Sequence, residues 1–104
     1  MRVFILVEPK FFVPPDMFPD LLEGFAEWRE RYRDRMESFE FFAGGGGGFG
    51  VFNVADEATL NQMVIEYPFT PFSELTSRPI LDGDTALNQW RQVMQQMMGG
   101  PSGS

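Results

Sequence analysis

The chain contains no cysteine and no histidine. The first absence excludes disulfides, thiolate metal sites and cysteine nucleophiles, and it permits a reducing compartment. The second removes the commonest base at neutral pH and most zinc or iron ligand sets. Carboxylates, two tyrosines, Lys10 and the arginines are then the acid–base material. Positive charge is also scarce: 8 Lys and Arg stand against 15 Asp and Glu, a net charge of −7. A phosphate backbone would meet repulsion, so no nucleic-acid partner is expected. Arg29, Arg31, Arg33 and Arg35 do not make a basic patch, because Glu27, Glu30, Asp34 and Glu37 alternate with them as on a solvated helix face. Long hydrophobic runs are missing too. The apolar start, MRVFILV, is too short for a signal peptide core or a membrane span, so a cytoplasmic protein with no membrane partner is expected.

What is abundant is aromatic. Hydrophobic residues make up 43% of the 104 positions, and 12 of those positions are Phe, enough to build one core. Residues 1–98 read as a single domain, and the tail from Gly99, GGPSGS, reads as a flexible linker or appended remnant outside it.

Arg2 to Glu8 is a β-prone run stopped by Pro9. From Asp16 or Pro19 to Met36, apolar residues recur at Leu21, Leu22, Phe25, Trp28, Tyr32 and Met36, the spacing of an amphipathic helix, with Asp16 or Asp20 as its cap. Phe39 to Ala43 and Gly50 to Val54 predict two short strands. Asp56 caps a second helix that ends before Pro68, Pro71 to Leu81 predicts a fourth strand, and Asp84 opens a last helix with an apolar stripe at Leu87, Trp90, Val93, Met94 and Met97.

Five consecutive glycines, Gly44 to Gly48, separate the two middle strands. Gly45, Gly47 and Gly50 satisfy the G-x-G-x-x-G spacing, but dinucleotide binding needs the glycines to lead into a helix whose N-terminal amides hold the phosphate. Here a strand, VFNV, follows, and no Gly-Lys-Ser/Thr is present. The run predicts a hairpin loop with freedom at φ > 0; covering a cavity mouth is a further role open to such a loop.

The order β-α-β-β-α-β plus a helix is the ferredoxin-like, split βαβ arrangement of an α+β protein: a four-stranded antiparallel sheet with both helices on one face. Strand alternation sets Phe4, Leu6, Phe52 and Phe72 as candidates for the other face, opposite Val3, Ile5 and Val7. A second copy would bury that face, giving a dimeric α+β barrel, a homodimer or higher homo-oligomer with a cavity between the sheets.

The Pro-containing exit of the first strand (VFILVEPKFFVPPDM), the hairpin strand leading into the second helix (FGVFNVADEATLNQMV) and YPFTPF at Tyr67 to Phe72 together resemble the muconolactone isomerase family over residues 1–81. The polyglycine, the last helix and the lack of histidine depart from it. The resemblance implies a cofactor-independent isomerase or cyclase that shifts a proton on a small cyclic organic metabolite. Such chemistry takes a carboxylate base in a dry pocket and a cation or donor that stabilises the enolate. Glu8, Glu40 and Glu74 are the candidate catalytic carboxylates; Arg2 and Arg78 with Phe4, Phe42, Phe52 and Phe72 are the candidate substrate-binding residues; no metal or cofactor is called for. The alternatives are a non-catalytic small-molecule-binding module and a structural oligomerisation module of the same fold.

Overall fold

A computed structural model describes residues 1–99. The predicted tail therefore lies outside the described residues, except for Gly99. Strands β1 (Arg2–Pro9), β2 (Met36–Phe41), β3 (Gly48–Asn53) and β4 (Ser73–Ile80) form one antiparallel sheet in the order β2-β3-β1-β4. Helices α1 (Phe18–Arg31) and α2 (Glu57–Glu66) follow β1 and β3, and α3 (Gly83–Gly99) follows β4. This is the ferredoxin-like α+β architecture.

The core lies between the sheet and α1 and α2. Val3, Ile5 and Val7 point from β1 toward Trp28 of α1 and Met63 of α2, and all five are buried. The Trp28 indole N–H donates to the Met63 carbonyl at 3.0 Å and ties the two helices together. Phe25 sits among Trp28, Phe39, Phe41, Tyr67 and Phe69 with ring centroids 5.4 to 6.3 Å away, stacked on Trp28 and tilted or edge-on to the others, geometries that aromatic quadrupoles favour. Asp56 caps α2 by accepting from the Thr59 N–H at 2.8 Å, and the Thr59 hydrogen bonds hold its carboxyl below the usual range.

Several expectations change. Phe52 belongs to the core, 1% exposed, and not to the open face. Its cross-strand partner is Val3, and partners across an antiparallel ladder share a face, so Val51 beside Phe4 takes the outward position. Phe72 is not in β4; it ends a 3-10 turn, Thr70–Phe72, ahead of that strand. Helix α1 stops at Arg31, and Met36 pairs with Phe52 as the first residue of β2, where it packs partly buried against the core. No side chain caps α1: Asp16 lies in a preceding 3-10 turn (Pro15–Met17) that runs straight into the helix. Asp82, and not Asp84, holds the start of α3, accepting from the Thr85 N–H at 3.1 Å.

The glycine run joins β2 to β3 as a hairpin loop. Gly44, Gly45, Gly46 and Gly47 all have φ between 87° and 97°, a region that side-chain-bearing residues rarely adopt, and a Cβ on Gly47 would collide with the Val7 carbonyl oxygen.

Helix α3 stands away from the sheet. The molecule is 70 Å long with a radius of gyration of 19.1 Å, against about 13 Å for a compact chain of this length. Leu87, Trp90, Met94 and Met97 form the expected stripe, yet all are exposed, Trp90 by 67%. The last helix thus leaves the sheet's second face uncovered.

Candidate functional site

Cross-strand pairing brings most of the predicted site residues onto that uncovered face. The register aligns Glu40, Phe49, Leu6 and Thr76 in one row, and Ser38, Val51, Phe4 and Arg78 in the next. Phe49 lies 5.6 Å from Phe4 and 6.0 Å from Phe42, so three rings form an apolar strip. At one end of the strands Arg2 contacts the Glu37 carboxylate through Nε at 2.9 Å, beside a bulge in β2 between Met36 and Ser38. At the other end Glu8 faces Glu74, which pairs with Lys10 at 3.2 Å. Glu40 and Glu74 are exposed and Glu8 is half-buried. Within one chain the three carboxylates do not converge: Glu8 and Glu74 are neighbours, while Phe49 and Leu6 separate Glu40 from β4.

The opposite side of the sheet carries a cavity of about 600 Å³. Phe18, Leu22 and Phe25 of α1 form one wall, and Val7, Phe39 and Phe41 of the sheet form the other. Phe11 and Phe12, on the Pro-rich segment after β1, stand at its mouth; Phe12 is 80% exposed. Gly47 and Gly48 border it, so the glycine loop contributes to the rim. Phe72 lines it, from the 3-10 turn that replaces the start of the predicted strand. No charged residue lines the wall; the lining residues whose side chains carry a polar group are Tyr67 and Ser73. The volume falls within the range of small-molecule sites, and so does a wall that is mostly aromatic with a few polar groups.

Tyr67 is 5% exposed, and burial pushes its phenol up to about 12. Its hydroxyl makes no hydrogen bond among the described residues, and none of their side-chain polar atoms is sealed off without a partner. The hydroxyl therefore keeps access to water or to a molecule in the cavity. Tyr32 differs: burial and its hydrogen bond to the Glu66 carboxylate both raise its pKa, and Arg31 holds the same carboxylate at 3.0 Å.

The sequence reading missed this side of the sheet as a binding location. The signal was the aromatic density of KFFVPP and YPFTPF, two Pro-containing segments that helical or strand periodicity does not place. The Lys10 and Phe11 N–H groups both donate to the Phe72 carbonyl, at 2.9 and 3.0 Å, which joins the two segments at one end of the cavity.

No family model matches the chain, and a search of curated proteins finds no match. Solved structures do match. The crystal structure of muconolactone isomerase superposes with a TM-score of 0.70 at 17% identity, over 79% of this chain and 90% of that one. The 5-chloro-2-hydroxyhydroquinone dehydrochlorinase TftG from Burkholderia phenoliruptrix AC1100, in complex with 2,5-dihydroxybenzoquinone, superposes with a TM-score of 0.64 at 15% identity, over 82% and 98%. At these identities the likeness establishes the fold: a four-stranded antiparallel sheet with helices, as in muconolactone isomerase. No helix among the described residues is long and apolar enough to cross a membrane.

Proposed function

We propose that this chain is a cytoplasmic, cofactor-independent protein that takes a small cyclic organic molecule into the cavity between α1 and the sheet. The observation that carries this reading is the cavity itself, about 600 Å³ with a mostly apolar, aromatic-rich wall. Two proteins of the same fold, by their names, act on small cyclic molecules, which supports the reading.

A second, isomerase-like reading places its substrate elsewhere, on the open face across the sheet from this cavity. In the isomerase-like reading a second copy covers that face and encloses the carboxylates. Glu40, beside Phe49, then serves as the base, with Glu8 and Glu74 near it, and Arg2 or Arg78 holds the developing anion. The charge layout favours this closure. Arg2 and Arg78 occupy one half of the face and Glu8, Glu40 and Glu74 the other, so a two-fold axis across the strands lays each arginine half over the partner's glutamate half. The binding-module reading is favoured by a different observation: the wall of the cavity carries no charged group within one chain.

The cavity is tested with fluorescence. The chain has two tryptophans. A Trp90→Phe variant leaves Trp28, which stacks 6.2 Å from the wall residue Phe25. Titration with 1-tetralone should give a saturable change in Trp28 emission. A featureless, non-saturating response to 1-tetralone and to naphthalene alike would remove the cavity as a ligand site.

A further inference from the structure

We propose that the Tyr67 hydroxyl is the polar anchor of the cavity, donating a hydrogen bond to a carbonyl or other neutral oxygen on a ring-bearing ligand, and that the cavity selects neutral ligands over anionic ones. The inference rests on the reading of the cavity as a ligand site and adds to it the chemical class of the ligand.

Three observations carry it. First, Tyr67 lines the cavity while 95% of the residue is withdrawn from solvent, and its hydroxyl is spent on no hydrogen bond among the described residues. A phenol in that state can exchange water for an acceptor on a ligand, and in a site of low polarity that bond gains strength. Second, Phe25 and Phe69 flank the Tyr67 ring at 6.1 and 5.9 Å, so a flat ring placed against the hydroxyl meets further aromatic faces. Third, the wall offers no arginine or lysine. Lys10, beside the mouth, is engaged with Glu74 on the other side of the sheet. A carboxylate entering the cavity would lose its hydration and find no cation to replace it, which disfavours anions strongly. Ser73, the other hydroxyl on the wall, sits in β4 directly before Glu74 and supplies a second neutral polar contact. The expected ligand is thus a neutral cyclic ketone, quinone or phenol, with its ring among the phenylalanines and its oxygen at Tyr67.

The test compares three probes of similar size on the Trp90→Phe protein: 1-tetralone, which has a carbonyl, naphthalene, which has none, and 1-naphthoate, which is anionic. The expected result is that 1-tetralone binds about tenfold more tightly than naphthalene, the equivalent of about 1.4 kcal/mol, and that 1-naphthoate binds most weakly. Adding Tyr67→Phe should remove the tenfold preference and leave naphthalene affinity unchanged. The substitution preserves the ring and breaks no hydrogen bond within the described structure, and the ranking of probes on the parent protein gives an independent reading if the variant fails to fold. Equal affinities for 1-tetralone and naphthalene, a preference that survives Tyr67→Phe, or tightest binding of 1-naphthoate would each overturn the anchor while leaving the cavity as a ligand site. Absence of binding by all three would overturn both.

Discussion

Alkaline titration interrogates the burial of Tyr67 directly. In an unfolded chain a tyrosine ionises near its ordinary pKa of 10.0; in the folded protein desolvation raises that of Tyr67 to about 12. Below pH 10 both states hold the proton, and the burial is not penalised. Between 10 and about 12 the unfolded state releases its proton while the native state retains it, so stability falls as pH rises. At about 1.36 kcal/mol for each unit, the two-unit difference amounts to about 3 kcal/mol once the pH is well above 12, of which about 2 kcal/mol is lost across that window. For a domain whose whole stability is about 5–15 kcal/mol, that loss is large. The assay is urea unfolding at a series of pH values, with the parent protein and Tyr67→Phe measured side by side. Tyr32, whose pKa is also raised, titrates in both proteins, so the difference between the two curves isolates Tyr67. The parent should lose about 2 kcal/mol more than the variant between pH 10 and about 12. The ultraviolet absorbance of tyrosinate should also stay low in the native protein at pH 10. Parallel pH dependences for parent and variant, or a native absorbance showing half-ionised tyrosine at pH 10, would refute the claim that Tyr67 is buried in the folded protein.

Two further outcomes address the open face. Sedimentation at micromolar concentration should show a homodimer, and Phe49→Lys, which puts a charge in the middle of the Phe4–Phe49–Phe42 strip, should weaken association at least tenfold; monomers alone in the parent protein would remove the sheet-to-sheet interface. If Glu40 is the proton-transfer base, Glu40→Gln should slow deuterium exchange into a small unsaturated lactone by about 100-fold or more, and an unchanged rate would withdraw Glu40 from any catalytic role.

Much of the fold was legible because its signals are local. Helical spacing around Trp28 and around Met63, β-prone residues from Arg2 to Glu8, the Asp56 cap and the glycines between two strands each depend on residues a few positions apart, and together they define the order of elements. Boundaries were less secure. Met36 carries both the last apolar position of a helical stripe and the first of a strand, and its pairing with Phe52 decided between them.

The amino-acid order by itself determined that this is one antiparallel sheet with two helices on a single face, because periodicity and turn chemistry are written along the chain. Only the tertiary structure decided which way Phe52 points, since a strand's face follows from its partner's register, and one residue of slip exchanges inside for outside. It alone placed Phe11, Phe12, Phe25, Tyr67 and Phe72 around one space, for a cavity is a property of the gap between elements distant in sequence. It also left α3 extended, because the stripe that marks a helix as amphipathic does not say what will cover it.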